Sequence, residues 1–234
     1  MTSHRVDVVV FTLALTVFGL VALALVWSGG WAYEVLARAT GHTQTTFLDI
    51  GGLGSIGGGG AFGVDLHNLL SWHGAWASYV VGLSPLPSGA STYFSADEVA
   101  HMADVRAVFR GAELAAVLAL FVGGYRISRA RRRDGALRLV RASALVAAGI
   151  VAVIGVAAAL AFDQLFLLFH DVFFPQGNFL FDPATSNLLR LYPEWYWQGI
   201  TAGVGLSFIA LALLAAWVAH SALRRGANTY TRAA

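Results

Sequence analysis

The chain has 234 residues, of which 57% are hydrophobic and only 12% charged, whereas a soluble globular domain carries about a quarter charged residues. That balance excludes an ordinary soluble enzyme and a nucleic-acid binder, and it points to one membrane domain spanning 1–234. There is no cysteine and all the basic residues are arginine, so disulfides, thiolate metal sites, cysteine nucleophiles and catalytic lysines are excluded.

About 20 apolar residues cross a bilayer core. The first such run is Val8–Trp27, with no charge in it. A secretory signal is the competing reading, with Ala37-Arg38-Ala39 as its cleavage site. The run is longer than a usual signal core, however, and that site lies well beyond it.

Residues 28–106 then form a long extramembrane segment. Gly51–Gly63 is glycine-rich but lacks the Gly-Lys-Ser/Thr ending of a phosphate loop, so it reads as a flexible turn region or as backbone packed close to lipid. Val64–Val81 reads as an amphipathic helix, with Leu66, Leu69, Leu70 and Trp76 on one face and Trp72 widening it. His67 and His73 fall on different faces of that helix and read as interfacial. Leu83–Ser91, with its two prolines, is a loop. Ser95 is placed to cap a helix, and Glu98 completes a capping box. That helix carries His101, Asp104 and Arg106 and runs towards a second span at about 107–125, in which Arg110 and Glu113 share one face.

A third span covers Ala142–Phe162 and a fourth Gly199–Ala219, both uncharged. Between them, 163–198 is crowded with aromatics that suit a membrane interface. His170 and Asp171 are embedded among its phenylalanines.

Arginine sets the orientation. Arg126, Arg129, Arg131, Arg132, Arg133, Arg138 and Arg141 fill the connection between spans two and three. Arg5 precedes span one, and Arg224, Arg225 and Arg232 follow span four. The two long connections are poor in arginine. A four-helix, all-α membrane bundle with a small extracytoplasmic cap and both termini cytoplasmic satisfies every loop. His101 and His170 then lie just outside the same membrane face.

Histidine is the side chain most readily tuned to move protons near neutral pH. Asp104, three positions beyond His101, shares its helical face and is placed to orient the imidazole. The order His101-Met-Ala-Asp-Val-Arg106, Phe169-His-Asp-Val-Phe-Phe174, Phe181-Asp-Pro183 and Leu191-Tyr-Pro-Glu-Trp-Tyr196 resembles a bacterial integral-membrane family, the lipoprotein intramolecular transacylases. The resemblance runs from about Ser95 to the C-terminus and is poor over 28–93. It implies transfer of an acyl chain from the diacylglyceryl group of a lipoprotein's N-terminal cysteine to that cysteine's α-amino group, at the outer face of the bacterial cell membrane. It implies His101 and His170 as the essential pair, diacylglyceryl lipoproteins and membrane lipids as partners, and neither metal nor other cofactor.

Tethering of amine and ester in one substrate makes proximity a large part of the rate. What remains is a base, an acid and oxyanion stabilisation. His170 is favoured as base, and His101, oriented by Asp104, as acid or donor. Arg106, Asn178 and Asp182 are candidate contacts to the substrate's polar head, although helix-end and turn roles explain them equally well. Two other readings stay open. One is a metal-dependent membrane hydrolase using His101, Asp104 and His170 as ligands. The other is a membrane scaffold that binds a partner through its aromatic segments.

Overall fold

The computed structural model describes residues 2–50, 60–133 and 135–232, with side chains from 5 to 225. In chain order the elements are α1 (Thr2–Trp27), α2 (Gly30–Thr40), β1 (Gln44–Leu48), β2 (Ala61–Asp65), α3 (Leu66–Val80), α4 (Ala90–Tyr93), α5 (Ala96–Arg131), α6 (Ala136–Leu160), α7 (Phe162–Phe173), α8 (Asn187–Leu191) and α9 (Glu194–Arg232). They group into two compact units. One holds 1–24, 112–160 and 202–234, and the other holds 25–111 and 161–201.

The first unit is made of long apolar helices packed through small residues. Ala144, Ala147, Ala148 and Val151 form one buried stripe on α6, with the spacing of a single helix face. Phe208, Ala212 and Ala216 form the matching stripe on α9. Small side chains let helix backbones approach where lipid removes the usual hydrophobic drive to associate. Gly19 of α1 serves the same end, because a Cβ there would lie 2.6 Å from the Phe208 ring. A salt bridge of 2.7 Å joins Arg126 to Asp7. The opposite faces of these helices are apolar and exposed, among them Leu114, Val117, Leu118, Phe121, Val153 and Leu206. An apolar exterior around a small-residue interior is the pattern of a lipid-embedded bundle. Among the described residues three helices are long and apolar enough to cross a membrane: Arg5–Trp27, Ala136–Leu160 and Glu194–Arg225. The expected second span, 107–125, is part of α5, one continuous helix of 36 residues. Most of the expected basic connection lies inside α5 and α6.

The second unit is helical but not all-α. β1 and β2 form an antiparallel hairpin with Gln44 opposite Asp65 and Leu48 opposite Ala61. This corrects the all-α expectation. The β-branched pair Thr45 and Thr46 leads into Phe47, which is fully buried, and such residues suit a half-buried strand. Of the glycine-rich stretch, 51–59 lies outside the described residues, and Ala61 to Gly63 belong to β2. The helix expected over 64–81 therefore begins only at Leu66, where Asp65 caps it by accepting from the Asn68 backbone N–H at 2.9 Å. α2 was not anticipated. It closes at Gly41, whose φ of 77° is left-handed, and the His42 N–H reaches back to the Ala37 carbonyl at 2.9 Å. Ala37-Arg38-Ala39 lies within this helix.

Leu69, His73, Trp76 and Val80 form the buried face of α3. His73 is thus a core residue, contrary to its interfacial reading. One ring nitrogen meets the Ser28 carbonyl at 3.0 Å and the other the Tyr192 hydroxyl at 3.3 Å. Burial holds its pKa below the usual histidine value.

Two buried polar residues lock the distant pieces of this unit together. Asn187 bonds both backbone groups of Leu48, at 2.8 and 2.9 Å, and the Tyr93 carbonyl at 2.6 Å. Glu98 forms the expected capping box with Ser95: its carboxylate accepts from the Ser95 N–H at 2.7 Å, and the Ser95 hydroxyl accepts from the Glu98 N–H at 3.2 Å. The same carboxylate also accepts from the Ser186 hydroxyl and the Leu188 N–H. A buried carboxylate satisfied in this way ties the start of α5 to the start of α8.

Candidate active site

α5 opens with the Ser95–Glu98 box, which places His101 one turn further along, buried in the second unit. α6 stops at Leu160, and the chain breaks helical geometry at Ala161 (φ −146°, ψ 50°) before restarting as α7. His170 sits in the last turn of α7 and is also buried. The two imidazoles come together with ring centroids 6.0 Å apart and planes 20° from parallel. Phe174, at the end of α7, touches both, at 4.7 Å from His101 and 5.4 Å from His170. Phe181 flanks His101, while Phe166 and Phe179 flank His170.

This aromatic setting dictates the electrostatics. Burial, then the neighbouring His170, push the His101 pKa down to about 4, against smaller opposing effects of Asn178 and the Asp104 charge. Burial likewise lowers the His170 pKa, opposed by its bond to the Phe166 carbonyl and by the Asp171 charge. Both rings are therefore neutral at pH 7. His170 Nδ1 lies 2.8 Å from the Phe166 carbonyl of its own helix. A carbonyl only accepts, so Nδ1 carries the proton and Nε2 keeps its lone pair.

The other expected site residues divide sharply. Asp104 and Asn178 are brought to the pair. Asp104 does not hydrogen-bond His101 as expected: its Oδ2 accepts from Gln176 Nε2 at 2.7 Å and Asn178 Nδ2 at 2.6 Å. Gly177, with φ +76°, makes the turn that sends both flanking amides to this one oxygen. Arg106 packs over the Tyr79 ring at 4.7 Å and donates to the Ser84 carbonyl at 3.4 Å. Asp182 forms a local turn, with its carboxylate accepting from the Ala184 N–H at 2.8 Å. Both thus have work within the protein. Gln176 went unnoticed in the sequence, although two amides around a glycine directly after Pro175 are a signal for a turn that presents polar groups.

Among the described residues no three His, Cys, Asp or Glu side chains group to hold a metal. A cavity of about 160 Å³ elsewhere in this unit, with Tyr33, His42, Arg190 and Trp195 in its wall, contains neither site histidine.

Residues 84–197 match the family model for "Lipoprotein intramolecular transacylase Lit", an enzyme family, and this stretch contains both histidines. In fold the chain resembles the membrane-integral lipoprotein intramolecular transacylase Lit from Bacillus cereus, with a TM-score of 0.67 and 14% identity, over 100% of this chain and 99% of that one. A variant of that protein with a histidine replaced by alanine gives a TM-score of 0.68 at 14% identity, over 96% of both chains. A third structure, with a histidine replaced by arginine, gives 0.67 at 12% identity. No curated protein matches the chain in sequence. At such identity the structural likeness speaks for the fold alone. The chain is thus a membrane protein, transacylase-like in sequence over 84–197 and in fold along its length.

Proposed function

We propose that this transacylase-like chain moves an acyl chain within a lipoprotein, from the diacylglyceryl group of its N-terminal cysteine to the α-amino group of the same cysteine. The observation that carries the reading is the buried pair His101 and His170, 6.0 Å apart and inside the family-matched stretch.

Proton balance explains why two neutral bases suit this reaction. A free α-amino group has a pKa of about 8 and enters largely as ammonium. It must lose one proton before attacking the ester and a second as the N–C bond forms, while the departing glyceryl oxygen needs one back. One imidazole takes the first proton. The other takes the second and returns it to the oxygen as the C–O bond breaks. One proton is left over, which matches the overall change from ammonium and ester to amide and alcohol. We assign the first abstraction to His170, whose Nε2 lone pair is free, and the return to His101, which becomes an acid only after being charged. Asp104 supports the charged state of His101 through its negative charge. Holding amine and ester together supplies about 7–11 kcal/mol of the barrier lowering without an enzyme nucleophile.

In this reading four helices cross the membrane, with 107–125 of α5 as the fourth. Its exposed Leu114, Val117, Leu118, Leu120 and Phe121 suit contact with lipid. Both termini are cytoplasmic and the histidines lie at the outer leaflet, as the arginine distribution indicates.

The test is mass spectrometry of a lipoprotein N-terminus in cells without other N-acylating enzymes. Wild type is expected to give the N-acyl, lyso-glyceryl form. His101→Ala and His170→Ala, at matched expression and insertion, are expected to lower it by about 100-fold or more. An unmodified terminus with wild type ends the proposal.

A further inference from the structure

Two buried polar atoms at the histidine pair lack a hydrogen-bond partner: Nδ1 of His101 and Oδ1 of Asn178. Unpaired buried polar atoms are rare and demand an explanation. These two are complementary, because one is a potential N–H donor and the other an acceptor. The orientation of the Asn178 amide is fixed by its other end. Its Nδ2 donates to Asp104 Oδ2 at 2.6 Å, and an ionised carboxylate only accepts, so Oδ1 must face away from Asp104. Gln176 donates to the same carboxylate oxygen at 2.7 Å and steadies that anchor. The Asn178 side chain acts on His101 in the direction of its protonated form, as an accepting oxygen does.

We propose that Asn178 is a positioning residue whose Oδ1 accepts a hydrogen bond from His101 Nδ1–H, so that Asp104, Asn178 and His101 form a chain that fixes the tautomer of His101 and leaves its Nε2 lone pair for chemistry. His170 attains the same tautomer by a separate route, through the Phe166 carbonyl. Both rings then offer Nε2 as base. The catalytic consequence rests on the acyl-transfer reading, but the tautomer does not.

The experiment is ¹⁵N NMR of histidine-labelled protein in detergent micelles, with His101 and His170 assigned by single replacement, alongside kinetics on a diacylglyceryl lipopeptide. In wild type, His101 is expected to show a protonated Nδ1 and an unprotonated Nε2. Asn178→Ala is expected to convert His101 to a mixture of tautomers while the His170 signals stay fixed. It is also expected to lower kcat by about 10- to 100-fold, with KM within about twofold of wild type. Exchanging the two groups, Asp104→Asn with Asn178→Asp, keeps an acceptor beside His101. It is expected to restore the Nδ1–H tautomer, raise the His101 pKa and recover part of kcat. If Asn178→Ala fails to fold, the exchange variant alone decides through the shift in His101 titration. An Nε2–H tautomer in wild type overturns the proposal, as does a tautomer and kcat indifferent to Asn178→Ala, or a His101 titration unmoved by the exchange. Absence of acyl transfer by wild type would sink the functional reading and leave the NMR result standing.

Discussion

His101, His170 and His73 are all more easily protonated in the unfolded chain than in the folded protein, because burial is the leading cause of each lowered pKa. Linkage then fixes the sign. At neutral pH their native environments oppose no charge. As pH falls from about 6.5, the unfolded state takes up protons first and stability is lost towards each folded pKa. The melting temperature in detergent is therefore expected to fall between pH 7 and pH 5. The fall should be smaller in His73→Gln, which removes one of the three groups, and an equal fall would refute a neutral buried His73. The sequence made His101 and His170 visible because each stands beside a long apolar run. His73 was misread because no histidine looks like a core residue, yet it stands four after Leu69 and three before Trp76, on the buried stripe. The Asp104–Asn178 contact joins residues 74 apart, a relation that no local periodicity encodes.

At the scale of elements, helices with strong local signals were readable. Ser95 and Glu98 announced the start of α5 because a capping box is written within one turn. The hairpin was hidden because its strands have five residues each and a glycine tract joins them. α2 was hidden because it follows the turn-forming Gly29. Its helical content is stabilised by tertiary burial of Ala32, Tyr33 and Ala37 rather than by propensity. β1 owes its placement to Asn187 of α8, which satisfies both backbone groups of Leu48. Asn187→Ala leaves the Leu48 N–H and C=O and the Tyr93 carbonyl without that partner, and is expected to cost about 2–4 kcal/mol. A melting temperature in detergent within 1–2 degrees of wild type, on the order of 0.5 kcal/mol, would show that the hairpin is held by other means.

Across the whole molecule, the apolar runs carried most of the information, because a bilayer imposes length rules that a single sequence reveals, and the arginine asymmetry supplies the proposed orientation. The absence of cysteine makes the orientation directly measurable. In intact cells, Ser88→Cys, in the loop before α4, is expected to react with a membrane-impermeant thiol reagent. Arg133→Cys, between α5 and α6, is expected to react only after permeabilisation, and the reverse pattern would invert the proposed topology. The neutrality of the buried pair has a further consequence for a protein in lipid. At rest the two imidazoles carry no charge, so the pair bears no standing cost of keeping a cation beside hydrocarbon. Under the acyl-transfer reading the substrate's ammonium is the first positive charge to reach the pair, and it meets two lone pairs rather than a competing cation. The imidazoles are charged only while a substrate is being turned over, so the pair resets itself each time the surplus proton departs.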